Sequence, residues 1–142
     1  MIQDDVFKVI GDSSLSRQVQ EYGLVSMIRE GFPAESAFGV QRAIGASKTE
    51  IEMITGVSYR TLQRHVEKKN NLSPVVSDRL VRFLNVLNEA SKTLGNKKNG
   101  IAWMNRPCRP LGNKKPIELV DTIVGSSQIS DILGRIRHGI FS

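Results

Sequence analysis

Thr49-Glu50-Ile51-Glu52-Met53-Ile54-Thr55-Gly56-Val57-Ser58-Tyr59-Arg60-Thr61-Leu62-Gln63-Arg64-His65-Val66-Glu67-Lys68-Lys69 reads as two short helices joined by a tight turn. Just ahead, Ser47-Lys48-Thr49-Glu50 has the Ser-x-x-Glu form of a capping box, in which serine and glutamate satisfy each other's free backbone N–H groups. The first helix runs through Ile51 and Ile54 and stops at Gly56, a residue suited to the positive φ of a turn. Ser58 is placed to cap the next helix, Tyr59 to about Lys69, with Leu62 and Val66 on its inner face. Ile51, Ile54, Val57, Leu62 and Val66 then lock the pair at an angle, as in a helix-turn-helix.

The second helix is expected to project Tyr59, Arg60, Gln63 and Arg64 outward, with Ser58 and Thr61 at its start and Lys68 at its far end. Arginine reads guanine edges, glutamine reads adenine, and Ser, Thr and Tyr hold phosphates. A helix N-terminus itself attracts a phosphate. Residues 58–71 carry Arg60, Arg64, Lys68 and Lys69 against Glu67 alone, a local balance of +3. DNA binding is the functional expectation. The plainer alternative is an exposed basic helix in an all-α protein.

Outward from this stretch the pattern is helix after helix, and no strand pattern or internal repeat emerges. Val19 to Glu30 is one expected helix, with apolar Val19, Tyr22, Met27 and Ile28, ending at Gly31. Pro33 is expected at the first position of the next, Ala34 to Ile44, closed by Gly45. Ser73-Pro74 opens a longer helix, along which Leu80, Phe83, Leu84, Leu87 and Leu94 form an apolar stripe. Gly95-Asn96-Lys97-Lys98-Asn99-Gly100 is the expected linker. Beyond it come a short helix from Ile101 to Asn105, another from Pro116 to Ile123, and a last one capped by Ser126 or Ser127 and stopped by Gly139. The expected fold class is all-α, divided into an N-terminal arm (1–31) able to dimerise, a helix-turn-helix domain (32–94) and a C-terminal domain (95–142).

Composition narrows the functional classes. The 142 residues are 39% hydrophobic and 24% charged, which fits a globular chain and excludes wholesale disorder or a coiled-coil rod. No apolar run approaches the roughly 18 residues of a membrane span. Met1-Ile2-Gln3-Asp4-Asp5 lacks the order of a secretion signal, so a cytoplasmic chain is expected. Net charge is +6 and climbs along the sequence, from −2 over residues 1–31 to +2 over 32–91 and +6 over 92–142. That gradient points to an anionic partner, or simply to solubility.

Trp103-Met104-Asn105-Arg106-Pro107, then Leu111-Gly112, Pro116-Ile117-Glu118-Leu119 and Leu133-Gly134-Arg135-Ile136-Arg137-His138-Gly139-Ile140 complete the reading. This order resembles the toxin-binding domain of the Xre/MbcA/ParS antitoxin family. Val57 to Arg64, with Leu72, is similar to the Xre-like helix-turn-helix preceding that domain. The resemblance spans roughly residues 32–142. It implies a type II antitoxin that covers the active-site cleft of a RES-domain toxin consuming NAD, self-associates as a homodimer, and binds operator DNA to repress its own operon. His138 departs from the pattern, which commonly has an aromatic residue before the glycine.

The tail has a physical reading of its own. Arg135 and Arg137 lie two apart on a helix and so point to different faces. Ile140-Phe141-Ser142 is a short apolar end suited to plugging a partner's opening, or to packing back on the last helix. The expected toxin contacts are therefore Arg135, Arg137, His138, Ile140, Phe141 and Ser142. Trp103 is expected in the core rather than at a contact.

Catalysis is not expected. His65 and His138 lack the neighbours of a metal site, so no metal or cofactor is expected. Cys108 lies between Arg106 and Arg109, a setting that lowers a thiol pKa, yet no pattern supplies a base. Two other functional classes stand beside the antitoxin: a stand-alone transcription factor with a dimerising or ligand-sensing tail, and a general basic nucleic-acid binder.

Overall fold

Side-chain caps set where most of the helices begin. In the computed structural model, which describes Phe7 and residues 12–139, the Asp12 carboxylate accepts from Leu15 N at 3.0 Å and opens α1 (Ser13–Tyr22). There follow α2 (Leu24–Glu30), α3 (Glu35–Ile44), α4 (Lys48–Thr55) and α5 (Tyr59–Glu67). Ser73 caps α6 (Pro74–Leu94), with Pro74 in the first turn, where its missing N–H costs nothing. Asn96 caps α7 (Lys97–Met104), and Thr122 caps α8 (Ile123–Arg137). Single 3₁₀ turns at Arg109–Leu111 and Pro116–Glu118 connect the last two helices. Among the described residues, β pairing is confined to isolated bridges, Pro33 with Asn71 and Cys108 with Lys114. The all-α expectation is met.

Several boundaries differ from the sequence reading, each for a local reason. The helix expected from Val19 to Glu30 is two, because Gly23 adopts φ +86° and breaks it, leaving Tyr22 on the surface. Pro33 lies before α3 rather than inside it, held in its bridge to Asn71. The expected linker is mostly the first turn of α7. Gly100 there is buried so close to Ser91 that an added Cβ would stand 2.6 Å from its hydroxyl oxygen. Of the helix expected from Pro116 to Ile123, residues 116–122 are a 3₁₀ turn and a loop, and Ile123 opens α8. Ser126 is no cap: it lies buried within α8, donating to Val120 O at 3.1 Å.

The first described residues pack on the rest of the chain. Phe7 meets the Phe32 ring edge-on with centroids 4.8 Å apart. Val19, Leu24 and Met27 join the core, α1 packs on α2, and α2 packs on α6.

α6 is the spine of the molecule. Ser77, Leu80, Val81, Phe83, Leu84, Val86, Leu87, Ala90 and Ser91 are all buried, which at 100° per residue covers more than half of its circumference. α2 and α4, earlier in the chain, pack on it, and so do α7 and α8, later in the chain. Polar contacts follow the same division. Ser77 accepts from Phe32 N at 3.0 Å and Arg79 reaches α4, while Arg82 donates to Asp121 O at 3.2 Å and Glu89 accepts from Ser130 at 2.8 Å.

α8 can leave the preceding loop so tightly only because residue 125 is glycine. A Cβ there would lie 1.9 Å from Leu119 O. We expect Gly125→Ala to cost about 1–3 kcal/mol through forced backbone displacement. The thermal midpoint, followed by circular dichroism, should fall by roughly 4–10 °C. An unchanged midpoint would show that this approach contributes nothing to stability.

Candidate functional site

Five side chains set the geometry of α4 and α5. Ser47 and Glu50 form the expected capping box, with Glu50 N to Ser47 Oγ at 3.1 Å and Ser47 N to Glu50 Oε1 at 2.9 Å. Thr55 is buried in the turn, its hydroxyl donating to Ile51 O at 2.8 Å and accepting from Val57 N at 3.2 Å. Glu52 reaches forward from α4 to accept Tyr59 N at 2.7 Å, satisfying a free N–H of the next helix. Arg79 enters from α6 and donates to Met53 O at 3.1 Å and Ile54 O at 3.3 Å, so a cation meets the C-terminal end of α4. Its guanidinium lies 2.7–3.0 Å from where a Gly56 Cβ would be, and Gly56 has φ +74°. Both facts require glycine in this turn.

α5 buries Leu62 completely and half-buries Val66, leaving its other face to solvent. Arg60, Gln63, Arg64 and Lys68 all lie exposed on it. At its start the Ser58 hydroxyl accepts from Thr61 N at 3.2 Å and donates to Thr61 Oγ1 at 2.8 Å. Arg64 folds back to donate to the same Thr61 oxygen at 3.4 Å. Two hydroxyls and a guanidinium thus gather at a helix N-terminus whose Tyr59 and Thr61 N–H groups are taken by Glu52 and Ser58, and hydroxyls and guanidinium are groups that hold a phosphate.

Tyr59 departs from the expected orientation. Its ring packs edge-on against Phe38 at 5.2 Å, and its hydroxyl donates to Gln41 Oε1 at 2.9 Å. Lys48 stands over the ring at 5.2 Å from its centroid. Tyr59 therefore ties α5 to α3 instead of projecting outward. His65 lies beside Asn70 at 3.4 Å, near the αL turn that ends the helix at Lys69. Sequence reading missed Glu52, Arg79, Gln41 and Lys48, since their partners lie seven to twenty-six residues away and no local spacing marks them.

The C-terminal half separates the two tail arginines as their spacing predicts. Arg137 turns onto α6, 3.2 Å from Glu89 and 2.9 Å from Thr93 Oγ1. Arg135 is exposed and borders a shallow cavity of about 170 Å³ with Pro110, Leu111, Gln128, Asp131 and Ile132. His138 is exposed at the end of α8, and Ile140, Phe141 and Ser142 lie outside the described residues. Trp103 packs half-buried against the core. Burial pushes the Cys108 thiol up, against the lowering expected from Arg106 and Arg109, so it is a poor nucleophile. Among the described residues no three His, Cys, Asp or Glu side chains gather as metal ligands.

Comparison with known proteins matches both halves. Residues 23–85 fit the antitoxin Xre-like helix-turn-helix domain, and residues 90–139 fit the antitoxin Xre/MbcA/ParS C-terminal toxin-binding domain. Proteins called antitoxin Xre from Yersinia enterocolitica serotype O:8 and Photorhabdus laumondii are each 32% identical over 120 residues, covering 84% of this chain and 81% of theirs. Antitoxin Xre of Pseudomonas putida is 25% identical over 91 residues, 64% of this chain and 57% of its own.

If Tyr59 positions α5, Tyr59→Phe should lower stability by about 0.5–1.5 kcal/mol, the worth of one hydrogen bond, with DNA retardation nearly unchanged. A variant of wild-type stability that no longer retards DNA would return the hydroxyl to a phosphate contact.

Proposed function

The chain belongs to the Xre antitoxin family, and from that premise we propose that it blocks a RES-domain, NAD-consuming toxin and represses its own operon. The family is one of regulatory, toxin-binding proteins, and the chain is not an enzyme. The observation that carries the repressor reading is the outer face of α5, where Arg60, Gln63, Arg64 and Lys68 stand exposed around a capped N-terminus. A helix-turn-helix lays such a helix in the major groove. Two copies of the chain would meet the two halves of a two-fold operator, in the cytoplasm. In this reading residues 32–94, buttressed by α1 and α2, serve the DNA. Residues 95–142 serve the toxin, with Arg135, His138 and the end at 140–142 as the contacting side and Arg137 bracing α8. The match to a toxin-binding domain weighs against a stand-alone transcription factor.

A tagged full-length chain should capture from its host a small partner that depletes NAD. Capture of DNA alone would favour the transcription factor. Arg60→Ala with Arg64→Ala should weaken binding to the promoter at least about tenfold while toxin neutralisation stays intact, since each lost base contact is worth about 1–3 kcal/mol. Promoter binding at wild-type affinity would remove α5 from the DNA. Deleting residues 140–142 should weaken growth rescue against the toxin with an unchanged thermal midpoint. Full rescue by the shortened chain would show that the end is no plug.

A further inference from the structure

Between Asn96 and Ile117 the chain carries six cations, Lys97, Lys98, Arg106, Arg109, Lys114 and Lys115, and no anion. All six are exposed, and among the described residues none of them is in an ion pair. The last four share one tightly tied loop. Cys108 N donates to Lys114 O at 3.0 Å, and Asn113 N and Leu111 N both donate to Cys108 O at 3.0 Å. Leu111 is buried beneath it. Fixed backbone with solvent-facing cations is a built surface, not a trailing charge run.

The loop lies next to the helix-turn-helix. It runs directly into the turn Pro116–Glu118, which packs against α4 and buries Pro116 and Ile117. In a helix-turn-helix the first helix crosses the sugar-phosphate backbone while the second enters the groove. Of the carboxylates nearby, Glu50, Glu52 and Glu118 accept the backbone N–H groups of Ser47, Tyr59 and Lys115, while Asp131 borders the cavity beside Pro110 and Leu111. Lys48 adds a further cation at the start of α4. Lys97 and Lys98 lie at the other end of α7, about 12 Å away along an eight-residue helix, and belong to a different surface.

We propose that Arg106, Arg109, Lys114 and Lys115 form a second, sequence-independent phosphate-binding surface that grips the DNA backbone flanking the site read by α5. This rests on the DNA-binding reading above and extends it into the half of the chain matched to a toxin-binding domain. Lysine is depleted in protein–protein interfaces and frequent against phosphates, so the pair Lys114 and Lys115 favours DNA over an acidic protein face.

The test uses full-length protein carrying Arg106→Ala, Arg109→Ala, Lys114→Ala and Lys115→Ala. It is titrated across a salt series on the duplex upstream of its own gene and on a mixed-sequence duplex of equal length. Affinity should fall by a similar factor on both, and the slope of log K against log salt should shrink by about 0.9 per lost phosphate contact. Toxin capture and thermal midpoint should hold. Arg60→Ala with Arg64→Ala should instead erase the preference between the duplexes. Lys114→Gln with Lys115→Gln repeats the test with fewer changes if the fourfold variant folds poorly. An unchanged slope while wild-type protein binds overturns the proposal, as does lost toxin capture with intact DNA binding, which would put an acidic partner on the loop. Wild-type protein that binds neither duplex would sink the DNA reading itself.

Discussion

Leu80, Phe83, Leu84 and Leu87 of α6 are almost wholly withdrawn from water, and so are Val81, Val86 and Ala90 on its flank. Truncating one such leucine to alanine costs about 2–5 kcal/mol, whereas a partly exposed ion pair such as Arg137–Glu89 contributes about 1 kcal/mol or less. The apolar contacts therefore hold the two halves together, and the ion pair sets only the orientation of α8. Domain stability is about 5–15 kcal/mol, so a handful of α6 contacts amounts to most of it.

The second helix of the helix-turn-helix depends on that spine indirectly. α5 has one fully buried side chain, Leu62, and leans on α4 and on the Tyr59 contacts to α3. α4 in turn is anchored at its C-terminal end by Arg79, a residue of α6. The presentation of Arg60, Gln63 and Arg64 is thus inherited in part from α6, through α4. Gly56 makes the arrangement possible by leaving room for a guanidinium where any other residue would put a side chain.

What was legible in the sequence was whatever nearest-neighbour chemistry decides. The capping box at Ser47, the cap at Ser58, the turn at Gly56 and the Ser73-Pro74 start are all set by residues within four positions, and the structure has each. The apolar stripe on α6 was visible too. Its breadth was not, because Ser77, Val81, Val86, Ala90 and Ser91 are buried by elements distant in the chain rather than by their own periodicity. The glycine-flanked stretch 95–100 misled for the opposite reason. Glycine there answers close packing on Ser91, not freedom to move. On α5 the exposed row was readable from helical spacing, while the inward turn of Tyr59 depends on Gln41 and Phe38, eighteen and twenty-one residues earlier.

A helix shared along its whole length also governs how the protein wears out. The helix-turn-helix match ends at residue 85 and the toxin-binding match begins at residue 90, both inside α6. Cleavage within α6 divides the one helix on which α2 and α4 pack from one half and α7 and α8 from the other. A break anywhere along it uncovers apolar side chains that are buried in the intact chain.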